Sequence, residues 1–442
     1  MSLQALPSAL TNWLQACAKR HLAVALVVAT LWMPADMFAQ GIFLTGIGPV
    51  NQAMGGAAVG APLDAAGALA WNSASISGLT TSEMELGLGL VLPTINIASQ
   101  GFGLAGSTPG EPGVSPVPTM AVVVKDDCSP WTWGVGVYGV GGFASNYPAS
   151  AAGPNANPIL LPQPLGLGRI YSQAEIYQVT PTLACALTDH LSVGAAPNIN
   201  LAHVQADPLF LASPNFALNQ VTYGPGDGSR YVWGIGFQVG AYYTTDADWR
   251  FGLSYKSNQW FEALRFYSND QTGAPVYKEA NLDLPAIVGL GASYVGIERW
   301  LYAVDVRWFD YANAAGFRGT GLQPDGSIAG LGWKGVVSVS NGLQWEVTDC
   351  WKLRFGYTFV DSPIPASLTQ FNLGSTLFMQ HFLSIGGSYQ IRDNFTAHVA
   401  YTHGLRAAET GPIILPTGPV AGSSITATTS ADFLTAGCTV QF

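Results

Sequence analysis

Three basic residues and one Ser–His pair are the side chains whose type and spacing could do chemistry in this chain. Lys256, Arg307 and Arg354 each fall on the polar side of a segment in which apolar and polar residues alternate. An arginine so placed could grip a carboxylate with two parallel hydrogen bonds. Structural ion pairs compete with that role, because unpaired charge is costly away from water. Asp305 lies two residues from Arg307 on the same face, and Glu346 stands across a short turn from Lys352. Ser388 and His398 flank the turn "RDN" in a register that sets them side by side. A nucleophilic serine needs a base and a third group that orients it. Neither an orienting carboxylate nor an oxyanion site accompanies this pair, so a hydrolase built on Ser388 and His398 stands only as the alternative function. The glycine-rich "GIGPVNQ" lacks the third glycine and the leading strand of a dinucleotide loop. No cofactor or metal site is expected.

The elements that must position these residues are strands. In "TDCWKLRFGYTF", Trp351, Leu353, Phe355, Tyr357 and Phe359 alternate with Lys352, Arg354, Gly356 and Thr358, the period of a strand with two unlike faces. Other segments repeat the pattern: Trp249, Phe251, Leu253 and Tyr255 oppose Arg250, Ser254 and Lys256, and Trp300 to Trp308 oppose Asp305 and Arg307. Only 10% of the 442 residues are charged, against roughly 25% in an ordinary soluble domain. The net charge of -10 excludes the basic footprint of a nucleic-acid binder.

No run reaches the roughly 20 apolar residues of a spanning helix. "HLAVALVVATLWM" after Lys19 and Arg20 has the form of a secretory signal peptide ending near Ala39. Beyond it, six short acidic turns ("DDCSPW", "TDHL", "TDADW", "GIERW", "TDCW", "RDNF") alternate with long Gly/Pro/Asn-rich loops near 106–116, 143–168, 206–229, 268–276, 310–334, 360–376 and 407–424. That punctuation predicts an all-β fold, a 14-stranded antiparallel transmembrane barrel over 83–442, with aromatic residues outward and the basic residues in the lumen. A soluble sandwich would carry a polar, charged outer face. The chain ends on Phe442 after alternate apolar residues.

Several stretches resemble the FadL/TodX-type outer-membrane transporters of hydrophobic compounds. They are "GIGPVNQAMGGAAVGAPLDAAGALAWNSAS", "LDLPAIVGLGASY", "RWLYAVDVRWFDY", "WKLRFGYTFVDSPIP" and "FLSIGGSYQIRDNFTAHVAYTH". The resemblance implies that residues 40–82 form a hatch, or plug, inside the barrel, with Asp64 in it. Asn72, Ser73 and Ala74 occupy the place of the family's Asn-Pro-Ala element, and serine does not fix φ as proline does.

The resemblance further implies passive transport of long-chain fatty acids or of aromatic or alkane hydrocarbons. Substrate would leave sideways into the lipid where the third strand is kinked. In "WTWGVGVYGVGGF" the candidates for that kink are Gly136, Gly139, Gly141 and Gly142, since strand glycines mark bends and close approaches. Two long loops are unusually apolar, "PILLPQPLGLG" and "DPLFLASPNFAL". They offer Leu160, Leu161, Leu209, Phe210, Leu211 and Phe216 as a landing surface, or as a lid packed on itself. The terminal strand ending in Phe442 resembles the signal read by the outer-membrane assembly machinery. The expected partners are therefore a hydrophobic small molecule, outer-membrane lipid and that machinery, for a monomer with no nucleic acid. A porin for polar solutes would need a more charged and open lumen.

Overall fold

The alternating segments close on themselves. A computed structural model describes residues 41–442 except 127, 218–219, 229, 271 and 416; the expected signal peptide, residues 1–39, lies outside the described residues. The fourteen barrel strands are β1 (Glu83–Gly101), β2 (Ser115–Lys125), β3 (Trp131–Tyr147), β4 (Ile170–Ala186) and β5 (Leu191–Asp207), then β6 (Val232–Thr244) and β7 (Trp249–Lys256). They continue with β8 (Ile287–Ile297), β9 (Trp300–Phe309), β10 (Val336–Glu346), β11 (Trp351–Val360), β12 (His381–Arg392), β13 (Phe395–Gly411) and β14 (Ser424–Gln441). Each pairs antiparallel with its sequence neighbour, and β14 closes on β1 from Glu83–Gln441 to Gln100–Ser424. Closure pairs each strand on both sides, as a span through lipid requires, although the β2–β3 ladder covers only Thr119–Lys125 of β2.

The two faces are those the alternation predicts. Trp351 and Phe355 are 48% and 44% exposed while Arg354 and Thr358 are buried inside. Aromatic pairs line the short-turn rim: Trp300 stacks on Trp345 at 5.3 Å, and Trp351 meets Tyr389 at 4.7 Å. At 17 to 19 residues, β1, β3, β4, β5 and β13 exceed the roughly 9–11 residues that cross a bilayer.

One loop departs from expectation. The seventh strand was expected to run to about 268, but β7 stops at Lys256. Leu264–Asn269 and Pro275–Ala280 instead form a separate hairpin. Leu264 and Phe266 are buried while Arg265 and Tyr267 are exposed, so the hairpin keeps the period of a barrel strand. The break comes at Ser257, whose Oγ accepts the Phe237 N–H at 2.9 Å.

Inside the barrel sit residues 41–82. They contain two short helices, α1 (Gly48–Ala53) and α2 (Ala65–Trp71), both wholly buried. No helix among the described residues is long and apolar enough to cross a membrane.

Candidate functional site: a fastened hatch and an apolar passage

The lumen has two unlike parts. The first is where residues 41–82, the segment expected as a hatch, meet the wall formed by β5 to β12. Asp305 on β9 accepts the Ala58 and Val59 N–H groups at 2.8 and 2.9 Å. Arg307 donates to Asp305 at 2.7 Å and to the Gly56 carbonyl, with its guanidinium 3.8 Å above the Trp71 ring. Lys256 lies 5.8 Å from the same ring. The basic candidates therefore belong to hatch and wall. Arg307 is 1% exposed, and its partners are the backbone and carboxylate of the protein itself.

Arg354 is held likewise. It donates to Gln344 at 2.8 Å and to Ser388. Ser388 contacts His398 Nδ1 at 2.7 Å, and His398 Nε2 contacts Thr439 at 2.9 Å. The Ser–His register expected from the sequence is present. A threonine occupies the place of an orienting carboxylate, and an arginine sits on the serine. The five residues form a polar chain across β10 to β14, not a nucleophile and base. Lys352 pairs with Glu346 at 2.9 Å, as the turn predicts.

The turn at Asn72–Ala74 is fixed by Asn72. Its Nδ2 donates to the Val59 and Ala241 carbonyls at 2.8 and 3.0 Å, and its Oδ1 accepts the Ala74 N–H at 3.1 Å. Burial pushes the neighbouring Asp64 carboxyl up to about 7, against the pull of Arg354.

What the sequence reading missed is how the hatch comes so close. A Cβ at Gly252 would stand 1.8 Å from the Val59 oxygen. One at Gly240 would stand 2.0 Å from Asn72 Oδ1, at Gly356 2.2 Å from Gly55 N, and at Gly194 2.5 Å from Ser73. Wall glycines on β5, β7 and β11 admit the hatch backbone and Gly240 on β6 admits the Asn72 side chain, the close-approach use of a strand glycine. The signal was present: Gly194, Gly240, Gly252 and Gly356 all fall on the lumen-facing side of their strands.

The second part lies at β3. Pairing between β2 and β3 runs from Lys125–Thr132 to Thr119–Tyr138 and stops there. One residue later β3 bulges, its register to β4 jumping between Gly139 and Gly141. The start of the hatch fills the bulge: Leu44 N–H donates to Val140 O and Gly142 N–H to Ile42 O, both at 3.0 Å. A Cβ at Gly141 would lie 2.3 Å from the Ile42 oxygen, and one at Gly139 2.9 Å from Val117. Gly136 instead makes room for the Tyr138 ring. Where Ser115–Pro118 of β2 has no β3 partner, a cavity of about 1120 Å³, open mouth included, runs from Phe43, Met379, Phe382 and Phe433 to the outward side of β4.

The apolar loops divide. Leu160, Leu161 and Leu209 are buried, Leu160 and Leu209 in the main apolar core. Phe210 lines an outer groove of about 1220 Å³ with Leu165, Leu167 and Phe371, Leu211 is partly buried, and Phe216 is 55% exposed. Phe442 is 68% exposed at the end of β14.

A family model described as outer membrane protein transport protein (OMPP1/FadL/TodX) matches residues 26–442. The chain belongs to the OMPP1/FadL/TodX family. It is 24% identical over 261 residues to the long-chain fatty acid transport protein of Escherichia coli K12, covering 54% of this chain and 56% of that one. The chain thus spans about half the length of the curated relatives it matches. Its fold is that of the Pseudomonas putida toluene transporter TodX (TM-score 0.65, 16% identity, 90% of this chain and 99% of that one). A Pseudomonas aeruginosa FadL homologue has it too (TM-score 0.67, 15% identity, 91% and 100%). The family is described as one of outer-membrane transport proteins.

Proposed function

We propose that this protein carries hydrophobic compounds, long-chain fatty acids or aromatic and alkane hydrocarbons, passively across the outer membrane. Substrate docks on the apolar groove at Phe210, enters the cavity beside β3, and leaves sideways into lipid between β2 and β3. The observation that carries the reading is the end of β2–β3 pairing at Thr119–Tyr138 with an apolar cavity behind it. An open edge inside a barrel is otherwise avoided, because unpaired backbone groups are costly in lipid. In this reading residues 40–82 are the hatch, removal of residues 1–39 precedes insertion, Phe442 is read by the assembly machinery, and the monomer suffices.

The test is uptake of labelled toluene and oleate by cells lacking such a transporter, with this chain and with a variant lacking Val140. That deletion removes the bulge and lets β3 pair on past Tyr138. Uptake that needs the chain and falls at least tenfold on deletion supports lateral release. Uptake indifferent to the deletion sends substrate down the barrel axis. Faster entry of small sugars, with neither hydrophobe gaining, makes the protein a porin.

A further inference from the structure

The passage beside β3 carries a single charged side chain among the described residues that line it, and that charge is negative. We infer that Glu175 makes the passage selective for uncharged hydrophobes and rejects carboxylates such as fatty-acid anions; the inference rests on the transport reading above and names its substrate class.

Glu175 stands on β4 opposite Gly142 of β3. Its neighbours Ala174 and Ile176 face inward and are buried in the core, whereas Glu175 is half-buried on the other face. Gly139 and Gly142, the β3 partners of Tyr177 and Glu175, have no side chains to cover that face, and Gln173, Glu175 and Tyr177 line the cavity. The carboxylate is held in place: Gln173 Nε2 donates to Glu175 Oε1 at 2.7 Å, and Tyr171 donates to Gln173 Oε1 at 2.7 Å. The nearest cation in sequence, Arg169, is engaged elsewhere, donating to Asn146 at 3.0 Å and lying over the Tyr171 ring.

Among the described residues, no Lys, Arg or His lines the cavity. The three basic candidates, Lys256, Arg307 and Arg354, lie against the hatch or in the β10–β14 polar chain and do not line the cavity. A carboxylate in the passage would meet apolar walls, which penalise an unpaired ion, and then a like charge. At partial exposure that repulsion corresponds to about tenfold in affinity or rate.

The experiment compares oleate with oleyl alcohol, equal in chain and different in charge. Binding to the purified full chain in nanodiscs and flux into proteoliposomes are both measured, for wild type and for Glu175→Gln and Glu175→Lys. Wild type should favour the alcohol at least tenfold in both assays. Glu175→Gln should narrow the gap and Glu175→Lys close or reverse it, through oleate, with the alcohol unchanged within twofold. Oleate handled as well as the alcohol by wild type, or a preference unmoved in both variants, overturns the inference. Discriminating binding without flux would overturn the transport reading while supporting the selectivity, and no binding of either lipid would overturn both. Neither variant touches the hatch, so loss of folding would show as loss of alcohol binding, against which each variant is normalised.

Discussion

One arc of the barrel wall fastens the hatch and the opposite arc leaves it an apolar seam, and the two differ in how glycine is used. Along β5 to β11 glycines admit hatch groups that are then hydrogen-bonded: the Val59 and Ala58 backbone to Asp305, the Gly56 carbonyl to Arg307, and the Asn72 side chain to the Ala241 carbonyl. Along β3 glycines admit only Ile42–Leu44, held by two backbone bonds, with the cavity beside them. The same residue therefore serves a lock on one side and a passage on the other. Polar partners on the approaching backbone decide which.

The largest expected effect breaks the lock sterically. Gly252→Val puts atoms where the Val59 carbonyl lies, 1.8 Å from the ideal Cβ, and both are backbone-positioned. The hatch should fail to seat, giving large ion currents in planar bilayers while the barrel still resists denaturation in detergent. Gly141→Val on the seam should dislodge only Ile42–Leu44, altering hydrophobe uptake with little current. Equal currents in both variants would erase the distinction between the two arcs.

Next comes electrostatics. Asp305→Ala removes the acceptor of Ala58 and Val59 and leaves Arg307 buried without its counter-charge, a change worth about 3–5 kcal/mol. Hydrogen exchange of hatch amides should quicken across residues 55–60 far more than at Leu44. A smaller effect follows from Asp64, whose carboxyl is raised to about 7 by burial from an ordinary value near 3.9. A raised acid stabilises the seated hatch most below about pH 4. That contribution is lost as pH climbs toward 7, where it levels off. Exchange of hatch amides should therefore speed up as pH rises through this window. Asp64→Asn should reduce the pH dependence, and a wild-type hatch that loosens on acidification would contradict the sign.

Most of the barrel was legible because a lipid-facing strand shows its period directly. Trp351 to Phe359 needs no knowledge of its neighbours to be read. The hairpin at Leu264–Ala280 was not separable from β7, since Leu264 and Phe266 alternate on the same period and the break depends on a Ser257 side-chain contact. The third-strand glycines drew notice because they cluster, whereas Gly194, Gly240, Gly252 and Gly356 stand singly and acquire meaning only when Ser73, Asn72, Val59 and Gly55 are brought against them. Arg307 and Arg354 were legible as luminal, and Asp305 as a partner of Arg307, but their contacts to the hatch and across the wall were not. Their partners Gly56 and Ser388 lie 251 and 34 residues away, and nothing local announces such pairings.

Ser73 gives the finest test of how the lock holds. The side chain is fully buried, and its Oγ has no hydrogen-bond partner among the described residues. The preceding Asn72 has φ -154° and ψ 105°, an extended conformation compatible with a following proline. Ser73→Pro would delete the stranded hydroxyl and restrict the unfolded chain, a gain of about 0.4–1 kcal/mol where φ fits. The hatch should exchange more slowly, with substrate flux reduced by less than the seam variants reduce it. The double variant with Asn72→Ala separates two causes: if proline rescues the turn without Asn72, rigidity of the backbone seats it. Failure to rescue would show that the bonds to Val59 and Ala241 do the seating and that the turn merely carries Asn72 to them.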